Sequence, residues 1–185
     1  MVDGFFLILL CILFSIAISL AVIVILWLYR VNKSLLHLSE IVVLQDVFNR
    51  LGTESHQEAR KNVYEAYIDY KKNNDITIFK DHNSRKQAEI VKADFDVIGL
   101  LYEYDYLNKN AFFDLYSDTV RRCWIALEHQ IKNERKERIS NEIGLDKTGN
   151  HFMEYFELLA KHAKEYRDKK NLSEPSFIDF RSSNS

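Results

Sequence analysis

Arg122 and His129 are the side chains whose types and spacing could do chemistry together. Seven residues apart, they fall on one face of a helix, two turns from each other. Such a pair suits phosphodiester cleavage, with the imidazole taking the proton of a 2′-hydroxyl and the guanidinium holding the phosphate. Chance competes with this reading. Arg50 and His56 meet a similar spacing across the helix-breaking Gly52, which shows how cheaply the pattern arises. The six histidines (His37, His56, His82, His129, His151 and His162) are scattered, and no two stand three or four apart as helical metal ligands would. Asp94, Glu103 and Asp105 recur on helix faces without a histidine at helical spacing, and solubility explains them more simply than a metal site. HExxH, CxxC, GxSxG, P-loop and dinucleotide fingerprints are all missing, so no catalytic, metal or cofactor residue is expected in the main reading.

The elements that must position any such residues begin with Phe5 to Tyr29, FFLILLCILFSIAISLAVIVILWLY, which holds no charge, Gly, Pro, Asn or Gln. At about 1.5 Å per residue this run reaches roughly 37 Å, more than the roughly 30 Å hydrocarbon core, so it reads as a membrane span. Ser15 and Ser19 are its hydroxyls, and each can bond a carbonyl one turn back. A cleaved signal would need a basic start, a shorter apolar core and a small-x-small site, none of which is present. Arg30 and Lys33 follow the span while Asp3 precedes it, so the C-terminal domain is expected in the cytoplasm and the N-terminus outside. Trp27 and Tyr29 suit the aromatic belt at that boundary.

The remaining 156 residues are enough for one domain with a core of its own. They carry all 25 Lys and Arg and 26 of the 27 Asp and Glu, a balance that offers no general attraction to nucleic acid or anionic lipid. One Pro and five Gly argue for long helices with few breaks, and Cys11 and Cys123 are expected as reduced thiols. The expected organisation is all-α: an N-terminal transmembrane anchor over 1–29, a helical stalk over 30–52, a bundle of about five helices over 53–170 and a flexible tail over 171–185.

Within that plan, Gly52 is placed to stop the stalk in the left-handed conformation. Ser55 with Glu58, and Ser84 with Gln87, have capping-box spacing. Ala59, Val63, Ala66, Tyr67 and Tyr70 mark one face of the second helix, and Ala88, Val91, Phe95, Ile98, Leu101 and Tyr102 one face of the third. Gly99 in that third helix signals close approach of a neighbour. A fourth helix begins near Lys109, with Ser117 and Asp118 offering a kink or a fresh cap. Its buried stripe is Val120, Trp124, Leu127 and Ile131, and this turns Arg122 and His129 outward. Asn133 to Arg138, NERKER, reads as a solvated helix end. The last helix spans about 151–170, with Phe152, Tyr155, Phe156, Leu159 and Ala163 facing inward. Ile76 to Phe79 is either a short extended segment or a lid. Phe177, Ile178 and Phe180 either pack back or form a docking motif.

Three blocks, ADFDVIGLLYEYDYLNKNAFFDLYSD, VRRCWIALEHQIKNER and HFMEYFELLAKHAKEY, together resemble the prokaryotic family catalogued as domain of unknown function 4760. The resemblance runs over about 34–166. It implies a membrane helix followed by a helical cytoplasmic domain, with a Trp in a late helix and a Tyr-Phe-Glu-x-Leu element near the end. It implies no activity and carries over no catalytic residue. The Arg122–His129 spacing separately resembles the motif of HEPN-type ribonucleases, although Cys123 replaces the polar residue that usually follows the Arg.

The function expected is that of a single-pass, non-enzymatic adaptor or sensor at the cytoplasmic face of the membrane. Its partners would be the bilayer and either another protein or a further copy of itself, with no nucleic acid. The alternative is a membrane-tethered HEPN-like ribonuclease or toxin-type effector acting through Arg122 and His129. Self-association would use an apolar seam of Ile41, Leu44, Phe48 and Leu51, unless those residues are simply the first helix of the bundle.

Overall fold

A computed structural model describes residues 2–73, 81–141 and 151–177. Over these residues the chain is helical without a strand: α1 (Val2–Gly52), α2 (Glu54–Asn73), α3 (His82–Glu103), α4 (Lys109–Asn141) and α5 (Glu154–Lys169). Two compact units divide it, Met1–Val42 and Val43–Ser185.

The first unit is a single helix. From Phe14 to Leu38 its apolar side chains, apart from half-buried Val31, stand in the open, and its most apolar window has a mean hydropathy of 2.2 with nothing buried. It is long and apolar enough to cross a membrane. Ser19 donates to the Ser15 carbonyl at 2.9 Å, as the four-residue spacing predicted.

The second unit starts at Val43, inside the expected stalk, because Val47 and Leu51 are fully buried and Leu44 and Phe48 pack against the core. Most of the seam expected to drive self-association is therefore the first element of the bundle. Gly52 ends α1 without a left-handed φ. The stop is made by Thr53, whose hydroxyl donates to the Arg50 carbonyl at 2.9 Å and accepts from the His56 amide at 3.3 Å. Thr53 therefore caps α2, two residues ahead of the expected Ser55. Asp81, not Ser84, caps α3, its carboxylate accepting from the Asn83 and Ser84 amides.

The predicted faces of α2, α3 and α4 hold. Ala59, Val63 and Ala66 pack with Ala88, Val91, Phe95 and Ile98 and with the stripe Val120, Trp124, Leu127 and Ile131. Phe156 of α5 closes the core, stacked on Phe95 and edge-on to Trp124, both at 5.2 Å between ring centres. No kink forms at Ser117, which is buried inside an unbroken α4.

Gly99 does what its place in α3 suggested. A Cβ there would sit 2.1 Å from the Tyr155 carbonyl oxygen, so α5 can lie this close only over a glycine. Phe177 packs on Tyr67 and Tyr64, at 4.6 and 5.8 Å between ring centres, and this decides between its two expected roles. Ile76 to Phe79, Ile178 and Phe180 lie outside the described residues.

Candidate functional site

Arg122 lies on α4 one turn after Asp118 and pairs with it at 2.9 Å. Arg167 of α5 approaches the same carboxylate at 3.4 Å. Across from them Arg60 and Lys61 of α2 line a cavity of about 380 Å³ that Arg122 shares. Glu54, Glu58 and Asp118 line it too, so three cations face three carboxylates and the cavity carries no excess charge for an anion.

His129 lines a different cavity, of about 700 Å³, together with Tyr67, Tyr70, Arg85 and Gln130. Its Nδ1 shares a hydrogen bond with the Asn133 amide at 3.1 Å, and its ring stands 6.0 Å from that of Tyr70. His129 is exposed, as expected, whereas the Arg122 side chain is only 19% exposed with its Nε buried, and the two enter separate cavities with different walls. The structure does not bring Arg122 and His129 to one pocket.

It does bring together Arg50 and His56, the pair whose spacing looked accidental. Arg50 Nη1 reaches Asp94 Oδ1 at 3.2 Å, and His56 Nδ1 stands 2.9 Å from Asp94 Oδ2 without hydrogen-bond alignment. Asp94 raises the imidazole's proton affinity. Burial at 1% exposure and the neighbouring Arg60 cation outweigh it, leaving His56 neutral with its pKa lowered to about 4. With no solvent access and an edge contact to Phe95 at 5.8 Å, His56 is a core residue linking α1, α2 and α3. Glu103 is exposed and Asp105 pairs with Lys109 at 2.6 Å, so these carboxylates do not converge with Asp94.

Sequence reasoning missed two polar assemblies. Lys92 sits inside the apolar stripe of α3, fully buried, with its ammonium 2.6 Å from Glu134 and 2.8 Å from Glu89. Its place between Ala88 and Phe95 at helical spacing was the available signal, but a lysine is rarely buried unless it is paired. Arg135 donates to the Phe152 carbonyl at 2.7 Å and the Met153 carbonyl at 3.2 Å and pairs with Glu157. Glu134 and Arg135 thus tie the supposedly solvated NERKER run to α3 and α5.

The thiol of Cys123 is fully buried against the Tyr64 hydroxyl at 3.2 Å, and burial pushes its pKa up to about 12, which leaves it unreactive. Among the described residues no three His, Cys, Asp or Glu are placed to hold a metal ion. The chain matches no family model, no curated protein and no solved structure.

Proposed function

We propose that this chain is a membrane-tethered, non-enzymatic interaction module, held by α1 with its helical domain on the cytoplasmic side. The observation that carries the reading is the division of labour along the chain. A helix whose apolar window has nothing buried is followed by a bundle with its own closed core. Arg30 and Lys33, immediately after the span, favour the cytoplasmic side for that bundle. The resemblance to the domain of unknown function 4760 agrees with the same layout.

Apart from His129, which is exposed and bonded to Asn133 of its own helix, the groups of the bundle that look chemical are taken up in packing. His56 and Asp94 join three helices, Lys92 and Glu134 join two, and Arg122 is held by Asp118. Surfaces specialised for partner binding need a stable scaffold more than a desolvated reactive pocket, and this bundle supplies the former. Incubation of the purified full chain with single-stranded RNA tests the non-enzymatic part of the reading. The RNA should stay intact. Cleavage that disappears in His129→Ala or Arg122→Ala would make the ribonuclease reading the better one.

A further inference from the structure

We infer that α1 pairs in parallel and in register with α1 of a second copy of this chain, along an apolar seam of its first unit. Leu28, Val31, Leu35, Leu38 and Val42 recur at alternating steps of three and four. On a helix of 3.6 residues per turn these five stay within one narrow stripe. Leu35, Leu38 and Val42 are 58–64% exposed, beyond the apolar run that ends at Tyr29. Water therefore supplies a force for covering them.

The same register continues into the span as Phe14, Ala17, Ala21 and Val24. Lipid exerts no hydrophobic force between helices, and close backbone approach over small residues takes its place. Ala17 and Ala21, four apart on this seam, permit that approach. The seam thus carries a pair of small residues at the centre of the apolar run and large ones on either side of it and in the stretch beyond Tyr29. A soluble partner would have no use for the half inside the membrane.

Charge points to an identical partner. Arg30, Lys33 and Glu40 stand on the face away from the seam. Asn32, Ser34 and Ser39, which border it, are uncharged, so two copies side by side bring no like charges together. Ile41 borders the seam as well, and Leu36 lies outside it. The pattern lapses at Gln45, the next position in register, just after the packed unit takes over at Val43. A shared topology in one bilayer makes the pairing parallel; that orientation and the role of Ala17 and Ala21 rest on the membrane reading, whereas the seam over Leu35, Leu38 and Val42 does not.

Single cysteines in the full chain, expressed in membranes and mildly oxidised, test the pairing. Cys11 is replaced by Ala, while Cys123 stays because it is buried and unreactive. Disulfides require Cα atoms within about 7 Å, so Leu35→Cys and Leu38→Cys should give roughly tenfold more covalent dimer than the far-face Lys33→Cys and Glu40→Cys. Equal yields at all four positions, a far-face maximum, or no dimer at Leu35→Cys and Leu38→Cys would overturn the inference. An alkaline carbonate wash separates the two readings. Retention in the membrane without seam crosslinks rejects the pairing alone. Seam crosslinks in protein that washes off would uphold the pairing and reject the membrane reading.

Discussion

His56 carries the clearest pH signature of any single residue. Its folded pKa of about 4 lies below the 6.5 of an ordinary imidazole, so between these values the unfolded chain binds the extra proton. Stability present above pH 6.5 is therefore lost as pH falls toward 4, by about 2 kcal/mol between pH 7 and pH 5. Denaturant midpoints at the two pH values should show this loss in the native chain and a smaller one in His56→Gln. Gly99 offers a steric test, because a methyl group there meets backbone and not a movable side chain. Gly99→Ala should cost about 1–3 kcal/mol and lower the thermal midpoint by roughly 3–10 °C.

At the scale of elements, α5 depends on its neighbours for its start. Its N-cap residue Met153 adopts φ 55° and offers no side-chain cap. The carboxylate of Asp96 on α3 accepts instead from the Phe156 amide at 3.0 Å, while Arg135 of α4 holds the carbonyls just before the helix. Burial pushes the Asp96 pKa up even though the Phe156 and Tyr155 amides favour the charged form. Asp96→Ala should cost about 1–2 kcal/mol, as loss of a cap does, and speed amide hydrogen exchange in the first turn of α5 more than elsewhere. The pairing of α3 with α4 through Lys92 gives an asymmetric outcome. Glu134→Ala leaves a buried ammonium with a single carboxylate and should cost about 3–5 kcal/mol, whereas Lys92→Met combined with Glu134→Ala should recover most of that loss. Urea denaturation of the single and double variants would measure it, and equal losses in both would contradict this account.

For the whole molecule the decisive quantity is the partition of α1 between lipid and water. Ala17→Arg places a charge near the middle of the apolar run and should cost about 2.5–3.5 kcal/mol of insertion on the translocon scale. A glycosylation-based insertion assay should register the loss, and undiminished integration would count against a span. A reporter that works only in the cytoplasm, fused after Ser185, should be active; activity only with a reporter confined to the outside would reverse the proposed topology. Neither outcome depends on pairing along α1, so orientation and self-association are separable experimentally.

By itself the sequence determined the helical class, the apolar run of α1, the inner faces of α2 to α4 and, with Phe156, Leu159 and Ala163 but not Tyr155, most of that of α5, because periodic burial is written locally in residues three and four apart. It also marked Gly99 as a contact, since a glycine inside an otherwise unbroken helix has few other reasons to be there. Only the tertiary structure decided where α1 ceases to be free and becomes part of the core, because Leu44, Phe48 and Leu51 look the same facing a bundle or another stalk. The same holds for the polar residues. Arg50 and His56 meet at Asp94, Lys92 meets Glu134, and Arg122 and His129 open into different cavities. Each of these outcomes depends on a neighbouring helix whose azimuth no local pattern encodes. A charged side chain in a helical stripe carries no sign of whether water or a buried counterion awaits it.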